Sequence, residues 1–176
     1  GETVYVTNFI TPPLPGEDGL SPTVSSGGGQ LFIMETQTLT VSEIIILGYR
    51  NQSVSESSGP GIPNYLNAPV LGPTGDWAYI PSKQDNILAG AARGNPGITF
   101  DQTVRAVTSR VNLATGSENP GTRIDHDNSS VATGAVVTAD GRYLFVALET
   151  SREVAVYNLE DGYQLTRLSA GLAPQG

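Results

Sequence analysis

The stretch "TADGRYLFVALETSREVAVYNLEDGYQLTRL", residues 138–168, constrains the fold more than any other part of the chain. Asp140-Gly141 is a turn dipeptide, and residues 143–148 after it read as a strand. "ETSRE" is a short polar connection, and residues 154–159 form a second strand with alternation at Val154 and Val156. "EDG" turns the chain into a third strand at 163–168, and the preceding "SSVATGAVVT" supplies a fourth, more buried one. Short strands meeting at tight turns predict an antiparallel meander. Composition agrees: Gly (21) and Pro (12) are plentiful, and Thr, Val and Ser outnumber Lys, which favours turns and strands over helices.

This unit can be laid back along the chain. "GPTGDWAYIPSK" (72–83) matches "TADGRYLFVALE" in its polar turn, its glycine (Gly75 or Gly141) and the aromatic and aliphatic strand that follows. "SRVNLATG" (109–116) matches "AVYNLEDG" (155–162), with Asn112 over Asn158, Leu113 over Leu159 and Gly116 over Gly162. The opening "GETVYVTNF" matches the strand after the turn glycine, and "LFIMETQT" (31–38) the second strand, with Glu35 at the Asn158 position. The same unit therefore occurs three times, over about 1–50, 64–118 and 129–168, with 169–176 leading into a next one.

Two insertions hide the repeat. From turn glycine to the Asn or Glu position is 17 residues in the third unit, 37 in the second and 34 in the first. The excess sits in "ITPPLPGEDGLSPTVSSGGG" (10–29) and "QDNILAGAARGNPGITFDQT" (84–103), both inside the hairpin that joins the same two strands. Loops inserted at one topological position emerge on one face of an array, so that face is the expected binding face, with Leu14, Leu20, Ile87, Ile98 and Phe100 as apolar anchors.

"VYVTN" together with "TADGRYLFVALETSREVAVYNLEDGYQL" resembles the YVTN-type β-propeller repeat, with Asn112 and Asn158 where that pattern carries Asp. The resemblance implies an all-β fold: a partial β-propeller of about three four-stranded antiparallel blades with two long inserted loops. It also implies a secreted, periplasmic or cell-surface setting. Lactonases, nitrous oxide reductase and surface-layer proteins share such blades, so activity does not follow from the fold. Three blades cannot close a ring. The expectation is a segment of a longer polypeptide, or a chain completed by its own ends or by a neighbour.

Charge and motifs narrow the function. With 17 acidic against 9 basic residues and a net charge of −8, nucleic acid and anionic membrane surfaces are repelled, and no apolar run approaches the length of a spanning helix. The absence of cysteine removes disulfides and any Cys-containing zinc or haem-attachment motif from these residues. Candidate ligands cluster only in "RIDHDNSS", where Asp125, His126 and Asp127 could hold a metal, Ca²⁺ above all, with Asn128 adding an oxygen. The competing reading, preferred here, is a surface loop capped by Asx turns with His126 hydrogen-bonded or solvated. "GEDG" reads as a turn, no Gly-x-Ser-x-Gly elbow occurs, and Asn51 and Asn128 head glycosylation triplets. Arg105, Arg110, Arg123, Arg142 and Arg152 are expected to pair with surface carboxylates. Tyr5, Tyr79 and Phe145 are expected to pack between blades, with Trp77 beside Tyr79. The functional expectation is a non-enzymatic binding or scaffold module with a protein partner. The alternatives are a lactonase-like, metal-dependent or redox propeller enzyme with its site at the central channel, and a surface-layer or filament subunit.

Overall fold

The computed structural model describes residues 2–19, 21–90, 99–129 and 131–175. Gly1, Leu20 and Ile98 lie outside that set. The chain is all-β and propeller-like, folded as three antiparallel sheets that follow one another in sequence. The first sheet contains β1 (Thr3–Thr7), β2 (Gly29–Glu35) and β3 (Thr40–Leu47) in that order. The third contains β10 (Ala132–Val137), β11 (Tyr143–Leu148), β12 (Glu153–Asn158) and β13 (Gln164–Ser169), also in chain order.

The middle sheet is built around two long strands, β6 (Trp77–Asp85) and β7 (Val104–Asn112). Its two outer positions are each split. On one side β4 (Ile62–Asn64) and β5 (Val70–Leu71) both pair with β6; on the other, β8 (Ser117–Glu118) and β9 (Ile124–His126) both pair with β7. This sheet therefore reaches from Ile62 to His126, further at both ends than the repeat outlined from sequence. Its last strand is "IDH", in which Ile124 joins the apolar cluster, Asp125 is buried by arginines and His126 by Thr108 and Tyr157.

Register makes the three sheets equivalent. Thr3 pairs with Glu35, Trp77 with Asn112 and Tyr143 with Asn158, so the same strand pair recurs with the same alignment. The turn glycines Gly75 and Gly141 have φ of 77° and 73°, and Gly116 and Gly162 have 60° and 76°, left-handed values that explain glycine there. In the first sheet that last position belongs to Leu39, at φ 56° and exposed. Asn112 and Asn158 each cap the turn beside them, their Oδ1 atoms accepting from the Thr115 and Glu160 backbone N–H at 3.0 and 2.9 Å. A single α-helical turn, α1 (Phe100–Thr103), closes the second insertion, and a 3-10 turn spans Pro120–Thr122. Among the described residues no helix is long and apolar enough to cross a membrane.

Strand alternation decides which face meets which neighbour. Leu31, Ile45 and Leu47, with half-buried Tyr5 and Ile33, face the middle sheet and pack on Ala78, Ile80 and Val111. The opposite face of the middle sheet offers Tyr79, Ala106, Ile124 and half-buried Trp77 to Leu144, Val146, Leu148 and Tyr157 of the third. Tyr5, Tyr79 and Phe145 thus hold one register position and point the same way around the array. For Phe145 that direction is an open side, so it is half-buried on the outer face of the third sheet and not packed between sheets.

Both end faces are left apolar. On the first sheet, the cross-strand rows Val4–Met34–Val41 and Val6–Phe32–Ile44 share the side away from the middle sheet. Val4 and Ile44 there are 46% and 47% exposed. On the third sheet the row Val136–Phe145–Val156 faces outward beside Gly134–Ala147–Val154–Leu168, and Val136 is 57% exposed.

Candidate functional site

The two insertions leave the blades from the same hairpin, β1–β2 and β6–β7, as their shared position requires. They also lie against common structure: the Thr11 backbone N–H and hydroxyl donate to Asn64 Oδ1 and the Pro63 carbonyl at 3.0 and 2.6 Å. Leu14 is buried, but Phe100 is 50% exposed and is not an anchor. "GEDG" is a turn in which the Leu14 N–H donates to Glu17 Oε2 at 2.7 Å.

A larger concavity lies elsewhere. A cleft of about 730 Å³ opens at the outer edge between the second and third sheets, walled by β7, by the segment 121–128 and by the β12–β13 hairpin. Residues of neither insertion line it. Its polar wall includes Arg110, Asp127, Tyr157, Asp161, Tyr163 and Arg167.

Behind the cleft stands a buried ionic framework. Asp125 accepts from Arg50 Nη1 and Nη2 at 2.5 and 2.9 Å and from Arg105 Nε at 2.7 Å, with its side chain 4% exposed. Arg105 also donates to the Glu56 and Asp101 carbonyls, tying the 51–60 loop and α1 to the sheet. Arg123 makes a bidentate pair with Glu118, Nε to Oε1 at 2.7 Å and Nη2 to Oε2 at 2.6 Å, with neither side chain exposed. It donates further to the Gly48 carbonyl and to Gln84 Oε1. Such pairs bind strongly only because nearly every donor is used, since an unpaired buried charge costs several kcal/mol.

His126 is in this wall but closed off, 2% exposed on β9. Its Nε2 lies 2.8 Å from Thr108 Oγ1 and its Nδ1 2.8 Å from the Tyr157 hydroxyl. A neutral ring satisfies both when Nδ1–H donates to Tyr157 and Nε2 accepts from Thr108. That leaves the Tyr157 proton for Gln164 Oε1 at 3.1 Å or the Asp125 carbonyl at 3.3 Å. Burial, helped by the nearby Arg167 charge, lowers the His126 pKa to about 3, so the imidazole is neutral at any physiological pH. Burial likewise pushes the Tyr157 hydroxyl up from its ordinary value, with Arg167 opposing.

The three residues proposed from sequence as metal ligands are thus divided. Asp125 and Asp127 line the cleft, while His126 points into the core with both ring nitrogens engaged. Among the described residues no group of three or more His, Cys, Asp or Glu side chains is arranged to hold a metal ion. Neither is the segment a capped surface loop, because Ile124–His126 is a strand paired to β7 through Ala106, Val107 and Thr108. The arginines differ from expectation too. Arg105 and Arg123 pair in buried sites, Arg142 stacks on Tyr143 with its Cζ 5.4 Å from the ring centre, and Arg110 stacks on Trp77 and Tyr79 at 5.3 and 6.0 Å. Arg50, fully buried, was invisible in the sequence because its partner lies 75 positions away.

A second concavity of about 360 Å³ opens beside the inner strands, between Phe9, Tyr65, Lys83, Thr133 and Glu149. The Lys83 ammonium is held there over the Tyr65 ring at 4.3 Å and pairs with Asp85 at 2.9 Å.

The fold is of propeller type, and the superposition on one solved structure agrees. Kuenenia stuttgartiensis hydrazine synthase superposes with a TM-score of 0.64 at 13% identity, over 99% of this chain and 48% of its own. A putative 6-phosphogluconolactonase from Bacteroides fragilis aligns over 84% of this chain and 34% of its own, at 12% identity and a TM-score of 0.45. The chain spans at most about half the length of these two neighbours. No protein-family model matches it, and no curated protein sequence matches it.

Proposed function

We propose that the chain is a non-enzymatic binding and scaffold module of a secreted or periplasmic protein, working as one arc of a propeller that further blades complete. One observation carries this reading: the two end faces expose the register positions that are buried between sheets inside the arc. Val4 and Val6 correspond to Ala78 and Ile80 and to Leu144 and Val146, and Phe145 corresponds to Tyr79. Burying a side chain of this size is worth about 1.5–3 kcal/mol, so two such faces favour contact with like surfaces over water. The YVTN resemblance supports the extracytoplasmic setting. The closed imidazole supports a binding role over hydrolysis that would use His126 as a base, since a base must reach its substrate.

Sedimentation equilibrium tests the reading. The chain is expected to associate as its concentration rises, and the pair Val6→Lys and Ile44→Lys is expected to abolish association while leaving the far-ultraviolet spectrum unchanged. A chain that stays monomeric at every concentration and binds no hydrophobic dye would overturn it.

A further inference from the structure

The edge cleft is lined by an arginine with nothing to hold. Of the arginines gathered at this edge, Arg50, Arg105, Arg123 and Arg167 each donate at least three hydrogen bonds. Arg110 has no hydrogen-bond or ion-pair partner among the described residues, and its Nε is buried and unsatisfied. A buried donor without a partner costs about 1–3 kcal/mol and calls for an explanation. The guanidinium is laid over Trp77 and Tyr79 at the cleft wall, its Nε covered by protein and its Nη groups, which have no hydrogen-bond partner among the described residues, left as the donors for a ligand in the cleft.

From this geometry we infer that the cleft binds a small carboxylated saccharide, its carboxylate taken by Arg110. This names the ligand class for the binding role proposed above and rests on that role. A planar carboxylate matches the guanidinium fork, leaving the stacked aromatic face undisturbed. Asp127 and Asp161 stand in the same lining and disfavour a dianion such as a phosphate ester, but they accept hydrogen bonds from sugar hydroxyls. Each keeps spare acceptor capacity: Asp161 accepts from the Tyr163 N–H at 3.0 Å and from Asn158 Nδ2 at 3.4 Å, Asp127 from Asn128 Nδ2 at 3.0 Å. Tyr163, 72% exposed at the rim, offers a ring to the C–H face of a pyranose. A cleft of about 730 Å³ suits one or two sugar units.

Trp77, the only tryptophan, lies under the Arg110 guanidinium and reports binding directly. Titration with glucuronate should change its emission saturably, whereas glucose and acetate at equal concentration should bind at least about tenfold more weakly. Arg110→Gln should weaken glucuronate about tenfold or more, and Arg110→Lys less, with unchanged circular dichroism in both. Asp161→Asn should weaken glucuronate while leaving acetate where it was. Glucose binding as well as glucuronate, or an Arg110→Gln variant that binds normally, would overturn the carboxylate assignment. Acetate binding as well as glucuronate would overturn the saccharide, and the absence of any saturable change would overturn the site. The cleft lies within the second and third sheets, so each of these failures is independent of the sedimentation result that tests ring completion.

Discussion

The two interfaces inside the arc are built differently. Between the first and second sheets the apolar contact of Leu31, Ile45 and Leu47, with Tyr5 and Ile33, against Ala78, Ile80 and Val111 gives way toward the edge to ion pairs, Asp125 with Arg50 and Arg105 and Glu118 with Arg123. Between the second and third, the apolar cluster around Leu144, Val146 and Leu148 gives way toward the edge to the neutral pair His126 and Tyr157 and to the open cleft. The ion pairs of the first are stable only while all their partners are present, whereas its apolar part tolerates side chains of similar shape. The second is held toward its edge by neutral hydrogen-bonded groups, Thr108, His126 and Tyr157, each fixed by its partner. A surface of fixed polar groups is what a binding cleft requires, and it occurs at the interface that carries one.

The sharpest way to break the contrast is Asp125→Ala. It leaves the Arg50 and Arg105 guanidinia buried without their anion, and a loss of about 3–5 kcal/mol is expected by urea denaturation. Ile80→Ala opens a void in the apolar part of the same interface and should cost about 2–4 kcal/mol, with no effect on glucuronate titration. If Asp125→Ala costs less than 1 kcal/mol, the framework is not structural.

Acid should separate the interfaces as well. Because the folded His126 pKa lies near 3 and the unfolded value near 6.5, the unfolded chain binds the extra proton between these values. Stability should therefore fall as pH drops from about 6.5 toward 3, by at most about 1.4 kcal/mol per pH unit from this group. His126→Gln should flatten that slope in pH-dependent melting curves, whereas Ile80→Ala should leave it intact. The smallest effect is expected at Leu39, where glycine would relieve a left-handed backbone at the position that Gly116 and Gly162 occupy. Leu39→Gly should stabilise by about 0.5–1 kcal/mol in thermal melts, after the entropy glycine adds to the unfolded chain.

The apolar half of this picture was legible in the sequence. Alternation and turn glycines located β11, β12 and β13 to within about a residue, and the Asn112–Asn158 match fixed the register that relates the sheets. The polar half was not. "RIDHDNSS" has the composition of a loop, and nothing local reveals that Asp125 is neutralised by Arg50 across 75 positions or His126 capped by Tyr157 across 31. Side-chain periodicity reports burial against apolar neighbours, so a strand whose polar side chains are buried by distant polar partners gives no signal. Arg110 was misassigned for a related reason: its partners are the faces of aromatic rings on the adjacent strand, Tyr79 directly opposite it.

The central claim is that equivalent sheets stack in one direction and leave opposite faces open at the two ends. The chain has no cysteine, so single substitutions can be probed one at a time with a thiol reagent, at dilutions where sedimentation gives a monomer. Val4→Cys and Val6→Cys should react quickly and Tyr5→Cys slowly, whereas Phe145→Cys should react and Leu144→Cys and Val146→Cys should not. Ala78→Cys, Tyr79→Cys and Ile80→Cys should all be protected. Reactivity of the same alternate positions in the first and third sheets, or ready labelling anywhere in residues 78–80, would contradict the stacked-blade account.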